Sequence, residues 1–271
     1  MIREIRTGGD YSHLNEETTK GLGNLKFYHP MGTFSLTPAS NILLKAIIDN
    51  QNLFSGIGID WGCGVGCLAL LAARIKSVRK IYGLDISEQN IDAAVINTDI
   101  NNLNEKVHFM IADSYKPYSP ENRAELERLK GKFNFILANP PSSHGDDGFE
   151  FRRTILKGSK DYLIGDGIVL LNISLQYGIK RVESLCNEIE GVEYLGITAS
   201  SGFVPFDLSR PDLLDCLNIY AREEQNGGYL YSFGMDGDDD FLSAQEALDL
   251  HKKTGRSPLT KWQTHIFINK A

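Results

Sequence analysis

The chain has 271 residues, 42% of them hydrophobic and 23% charged, which is enough for a sizeable core in one large domain. Its formal net charge of -7 at pH 7 argues against a general nucleic-acid coat, though not against a local basic groove. No run approaches the ~20 apolar residues of a membrane helix, and the first twenty residues lack an apolar signal core, so a cytoplasmic protein is expected.

Residues 1–36 read as an N-terminal extension: a polar leader with one short strand, "NLKFYH". Thr37 followed by Pro38 starts a helix, a capping hydroxyl and then proline at the first helical position. Ile42, Leu43, Ala46 and Ile47 give that helix one buried face. From there strands and helices alternate. "SGIGIDWG", "KIYGLDI", "KVHFMIAD", "KFNFILAN", "DGIVLLNIS" and "GVEYLGITAS" read as strands. "GCLALLAARIK", "SEQNIDAAVINTDINN", "FEFRRTILKGSKDYLI" and "LQYGIKRVESLCNEIE" read as helices. At about 201–260 the alternation breaks, with two helices, an aromatic strand "GYLYSF" and an acidic turn "MDGDDD"; "TKWQTHIFIN" is a last strand. The pattern predicts an α/β fold, a Rossmann-like seven-stranded, mostly parallel sheet with helices on both faces, and an insertion before the last strand. Such sheets bind ligands at the carboxyl ends of their strands.

Four motifs sit at those ends. In "DWGCGVGCLA", Gly62, Gly64 and Gly66 allow a tight turn and a close ligand approach, and Asp60 precedes them within the strand. Cys67 stands where a dinucleotide fingerprint has its third glycine. Asp85 of "GLDIS" lies about twenty residues on, where a carboxylate can accept from both ribose hydroxyls. Ser87 is the better helix cap, which leaves Asp85 free for a ligand. Asp113 of "IADSY" can accept from an exocyclic purine amine. Asn139 ends the fourth strand, and Pro140 and Pro141 make the turn after it rigid. An amide oxygen and a rigid carbonyl there form two converging acceptors for one NH2 group.

These residues, "DWGCGVG", "LDIS", "IAD" and "NPPSSHG", resemble a class I S-adenosylmethionine-dependent methyltransferase. The likeness is to the "methyltransferase small" group with its NPP motif, which methylates nitrogen on RNA bases or on protein glutamine. The resemblance implies a methyltransferase domain over 37–271. It implies S-adenosyl-L-methionine held by Gly62, Gly64 and Gly66 with Asp60 nearby, by Asp85 and Ile86, by Asp113, and by Phe34 and Thr37. Asn139, Pro140 and Pro141 would hold the target nitrogen. Many relatives carry an aromatic residue after the prolines; this chain has Ser142. Ser142, His144 and Phe149 are the substrate-side candidates, with Phe151 a further aromatic substitute.

The implied reaction is N-methylation of an exocyclic amine of an RNA base, guanine-like and ribosomal. A protein glutamine or a small-molecule amine is the alternative acceptor. From other classes stand a nicotinamide-dependent oxidoreductase and a non-catalytic cofactor-binding module. No metal is expected. Cys63, Cys67, Cys186 and Cys216 fit no zinc spacing and read as reduced thiols. Arg153, Lys157 and Lys160 share one helix face, which reads as solvated rather than phosphate-binding.

Overall fold

Apolar and amphipathic runs alternate from residue 56 onward, and the backbone obeys them. The structure is a computed structural model and describes residues 6–8, 10–33, 36–142, 147–235 and 240–270. Ahead of the alternation lie three antiparallel strands, β1 (Arg6–Gly8), β2 (Tyr11–Leu14) and β3 (Leu25–Tyr28), paired in that order. The expected polar leader is thereby corrected. Leu14, Leu25 and Phe27 are fully buried, and β2 was too short and too polar for its alternation to stand out.

The helix α1 (Pro38–Asp49) starts as the Thr37-Pro38 pair predicts, in a capping box between Thr37 and Ser40. Then come β4 (Gly56–Trp61), α2 (Cys67–Ala73), β5 (Val78–Asp85), α3 (Glu88–Ile100) and β6 (Val107–Asp113). A two-residue strand β7 (Lys116–Pro117) and a helix α4 (Pro120–Arg128) come after these. That helix was missed because only Leu126 of it is buried, so it has no apolar stripe. Its cap, Ser119 before Pro120, was the available signal. Next are β8 (Phe133–Ala138), α5 (Glu150–Tyr162), β9 (Leu163–Asn172), α6 (Ile179–Glu188) and β10 (Val192–Ser200).

Between β10 and the last long strand lie β11 (Val204–Pro205), α7 (Pro211–Gln225), β12 (Phe233–Gly234), β13 (Phe241–Leu242), α8 (Ala244–Thr254) and β14 (Leu259–Thr260). Their short strands make a separate sheet, β11-β14-β12-β13. The aromatic strand expected at 228–233 shrinks to Phe233–Gly234. Tyr231 just ahead of it packs on Tyr220, ring centroids 4.0 Å apart, rather than pairing in a ladder. β15 (Gln263–Asn269) closes the main sheet.

The main sheet runs β10-β15-β9-β8-β4-β5-β6-β7, the seven expected strands plus the two-residue β7. β4, β5, β6, β8 and β9 pair in parallel, and β15 is antiparallel to both its neighbours. The period of two divides each strand between two cores. On β8, Phe135 and Leu137 face the core beneath α1, α2 and the N-terminal sheet, whereas Ile136 and Ala138 face the core beneath α5, α6 and the inserted helices. From β4 the chain moves out to β5 and β6, then returns to β8 on the other side. The order reverses between β4 and β8, so a crevice opens there.

Two asparagines at the C-terminal end of α3, the second its capping residue, dock the N-terminal sheet. Asn97 and Asn101, one helical turn apart, are buried. Asn97 accepts from the Tyr28 N–H at 2.5 Å and donates to the Tyr28 carbonyl at 2.8 Å and the Val65 carbonyl at 2.9 Å. Asn101 makes the same pair with Lys26, at 3.0 and 2.7 Å. The two amides imitate a neighbouring strand and satisfy the free edge of β3. Asn97→Ala strands buried groups on Tyr28 and Val65. It should lower unfolding free energy by about 2–4 kcal/mol in urea titration and speed amide exchange along β3. Unchanged exchange there would show that the sheet is held by its apolar face alone.

Candidate active site

The turn after β4 is rich in glycine because three of its residues take a left-handed backbone, which glycine adopts at least cost. Gly62, Gly64 and Gly66 have φ of 67°, 54° and 86°. At Gly62 a Cβ would meet open space, whereas at Gly66 it would strike the Phe109 ring at 2.5 Å. Gly62 therefore leaves room for something else, and Gly66 serves packing. Asp60 is fully buried. Its Oδ2 accepts from the Ala69 N–H at 2.9 Å, and its Oδ1 has no partner among the described residues. Burial, with the Asp85 charge adding to it, pushes its pKa up to about 7.

Asp85 is not left free by Ser87, contrary to expectation. Ser87 does cap α3, accepting from the Asn90 N–H at 3.3 Å. Yet Asp85 Oδ2 accepts from the Gly64 N–H at 2.8 Å, and Oδ1 accepts from the Ser87 N–H at 2.9 Å and Asn90 Nδ2 at 3.1 Å. The carboxylate braces the turn it was expected only to face. One lone pair remains on Oδ2 by this count. Asp113 and Ile86 are exposed. Cys63 and Cys67 are buried free thiols. Burial and the nearby carboxylates push both pKa values up, so neither is a thiolate nucleophile.

Asn139 lies where β8 stops. Trp61 pairs with Ala138 across β4 and β8, so Asn139 stands beside Gly62. Its Nδ2 donates to Ser40 Oγ at 3.1 Å, and its Oδ1 accepts from Asn172 Nδ2 at 2.9 Å. Arg152, 4% exposed, donates to the carbonyls of Pro141, Gly148 and Asn172 at 3.3, 2.9 and 3.3 Å. It ties the proline turn to the end of β9. Asn172, Ser40 and Arg152 were not singled out from sequence. The signal for Asn172 was present, since "IVLLN" ends an apolar strand on an amide just as "FILAN" does.

An open cavity of about 790 Å³ covers these strand ends. Thr37, Ser40, Gly62, Gly64, Asp85, Ile86, Asp113, Asn139, Pro140 and Pro141 all border it. Trp61, Glu150 and Phe151 complete the wall beside the proline turn. Its described lining has three carboxylates, Asp85, Asp113 and Glu150, and no lysine or arginine. Phe149 is corrected as a substrate-side candidate. It is fully buried, edge-on to Tyr177 with centroids 4.8 Å apart. Phe151 instead reaches the cavity, its ring 6.1 Å from Trp61. Ser142 bonds the Tyr177 hydroxyl at 2.5 Å. Phe34 and His144 lie outside the described residues, as does most of the acidic turn at 236–239. Arg153 is held by Asp147 at 2.8 and 2.5 Å and by Glu188 at 2.6 Å, so it is not offered to a phosphate. Among the described residues no helix is long and apolar enough to cross a membrane.

Comparison with known proteins agrees with this geometry. The chain is 25% identical over 204 residues to a release factor glutamine methyltransferase of Thermodesulfovibrio yellowstonii, covering 66% of this chain and 72% of that one. It is 36% identical over 90 residues to a U6 small nuclear RNA (adenine-(43)-N(6))-methyltransferase of Drosophila pseudoobscura pseudoobscura. That match covers 33% of this chain and 29% of the relative, so the chain spans under a third of that protein. A T. thermophilus 16S rRNA methyltransferase, solved with AdoMet and guanosine, shares the fold. Its TM-score is 0.50 at 21% identity, over 64% of this chain and 44% of that one. Residues 24–200 match the methyltransferase small domain. That match takes in the glycine turn and the NPP turn alike, and the chain belongs to this family of class I S-adenosylmethionine-dependent methyltransferases.

Proposed function

We propose that this protein methylates a planar, conjugated NH2 nitrogen, foremost a side-chain amide carried by a protein. The observation that carries the reading is Asn139, an amide oxygen fixed at a strand end beside the glycine turn and bordering the cavity. The cavity fits the cofactor. Its volume suits a small molecule, Gly62 has open space where a Cβ would lie, and its carboxylates suit a ligand with positive charge. Gly62 and Gly64 would hold the methionine part, Asp85 and Ile86 the ribose, Asp113 the adenine amine, and Thr37 the near wall, whereas Gly66 and the buried Asp60 do not border the cavity and would shape the turn from behind. S-adenosylmethionine, when bound, supplies a methyl group on a positively charged sulfur.

The chain's own residues orient the acceptor. Asn139 Oδ1 and the Pro140 carbonyl accept the two N–H groups of the incoming amine, and Pro141 keeps that carbonyl rigid. Held so, the nitrogen presents its lone pair along one direction. Both acceptors strengthen as positive charge develops on nitrogen. The alkylated nitrogen then sheds its surplus proton to water at the cavity mouth, and no strong base is required.

The lining carboxylates and the engagement of Arg153 disfavour a polyanion at the mouth. A neutral amide meets no such penalty, and the Thermodesulfovibrio relative, matched over 66% of this chain, is named for glutamine. A second reading, the exocyclic amine of an RNA base, is favoured by Phe151, whose ring at the cavity wall could stack on a base.

Labelled methyl transfer into protein, RNA and small-molecule pools from cells lacking this protein decides between them. Label that survives ribonuclease and is lost to protease is expected; the opposite pattern selects the RNA base. Asn139→Ala should lower the transfer rate by about 100-fold or more, while calorimetry finds unchanged S-adenosylhomocysteine affinity. Full transfer by that variant would end the proposed role. Asp60 gives a pH test. Its folded pKa is raised, so its contribution to stability is full below about pH 4 and is lost as pH rises through about 7. Asp60→Asn, which cannot ionise, should raise the ligand-free melting temperature more at pH 8 than at pH 5. Equal shifts at both pH values would contradict this.

A further inference from the structure

Two asparagines end neighbouring strands, and one orients the other. Ala138 pairs with Leu171 across β8 and β9, which sets Asn139 beside Asn172. Asn172 is 5% exposed. Its Nδ2 donates to the Ala39 carbonyl at 2.8 Å and to Asn139 Oδ1 at 2.9 Å. Its Oδ1 accepts from Thr264 Oγ1 at 2.6 Å. Asn139 Nδ2 donates in turn to Ser40 Oγ at 3.1 Å.

The sense of this network has a single source. A hydroxyl rotates to donate or accept, and an amide side chain can present either end, but a backbone carbonyl only accepts. Thr264 and Ser40 therefore adapt to whatever orientation the amides take. The Ala39 carbonyl does not. It requires nitrogen from Asn172, and the second N–H of that nitrogen requires oxygen from Asn139.

We propose that Asn172 is a positioning residue, which relays the fixed polarity of the Ala39 carbonyl and holds Asn139 Oδ1 in place to accept the N–H of the methyl acceptor. The inference rests on the role proposed for Asn139. One lone pair of Oδ1 takes the Asn172 N–H, and the other is left for the acceptor. A flipped Asn139 would turn N–H toward N–H and repel the amine.

Asn172→Asp tests this with little change of shape. An ionised carboxylate donates to neither Ala39 nor Asn139 and draws the Asn139 NH2 toward itself. When protonated, it can donate one O–H again. The ionisable neighbours of this point are Arg152, whose Nη2 meets the Asn172 carbonyl at 3.3 Å, and His265 beside Thr264. Burial lowers the His265 pKa to about 4, so it stays neutral above about pH 5, and Arg152 stays charged. Asp60, its pKa raised to about 7, titrates between those limits in both proteins, so the variant-to-wild-type ratio, which divides out that shared titration, reports the introduced carboxyl.

The readout is the rate of labelled methyl transfer, at saturating S-adenosylmethionine, into the lysate pool that the wild-type protein labels. Asn172→Asp should be about 100-fold slower than wild type at pH 8. The gap should narrow to about tenfold near pH 5.5, as the carboxyl protonates. S-adenosylhomocysteine affinity should not change. Asn172→Ser, which buries no charge, should be slowed at least about tenfold at both pH values. Thr264→Val, which leaves both Asn172 donors in place, should stay within about fivefold of wild type.

A ratio for Asn172→Asp that is flat with pH, or Asn172→Ser at the wild-type rate, overturns the proposal. Where Asn139→Ala is inactive and either result appears, the relay alone falls. Where Asn139→Ala transfers normally, or the wild type labels no pool, the reading of Asn139 falls and the relay with it.

Discussion

Trp61 of β4 pairs with Ala138 of β8, and this parallel register is what the site rests on. It brings the glycine turn and the NPP turn to one level of the sheet. The pairing is also the place where strand order reverses, so α1 and α2 cover one face while α5 covers the other. Neither face roofs the gap between the strand ends. The register carries on through β9 and β15, where Leu171 sits beside Ala138 and Thr264 faces Asn172. Asn139, Asn172 and Thr264 thus form a row of polar side chains across three neighbouring strands. One slip would turn each of them to the other face.

Charge in the cavity is arranged by distance rather than by number. Asp85 spends most of its acceptor capacity on the turn and its helix, so it shapes the cavity before any ligand arrives. Asp60 lies just ahead of the turn in sequence but is buried, and solvent loss drives it toward neutrality. Asp113 remains at the open edge. Three carboxylates in similar positions at strand ends therefore differ in what they can do. One braces, one is suppressed by burial, and one stays available. The net field remains negative, which suits a cationic ligand and opposes a phosphate chain.

Much of the fold was legible because its causes are local. Apolar runs of strand length separated glycine turns from amphipathic helices, and Thr37, Ser87 and the turn glycines took up the roles their chemistry suggests. The failures share a cause. α4, β1 and β2 have too little periodic apolar content to register. Nothing local singles out Asn97 and Asn101, yet they are a buried edge for β3. Phe149 and Phe151 lie two residues apart, and nothing local told which would reach the cavity. The start of α5 turns Phe149 under, onto Tyr177, and leaves Phe151 above.

Sequence by itself determined the strand-helix alternation, the positive-φ turn after β4, and the polar residues that end β5, β6 and β8. Each comes from side-chain period, proline and glycine geometry, or capping, and these act over a few residues. Tertiary structure alone decided which polar atoms are already spent. Asp85 meets Gly64, Asn139 meets Asn172, and Ser142 meets Tyr177 through pairings between segments far apart in the chain. The reason is physical. Hydrogen-bond capacity at a buried site is finite, and who claims it depends on the register and burial that only the folded sheet supplies.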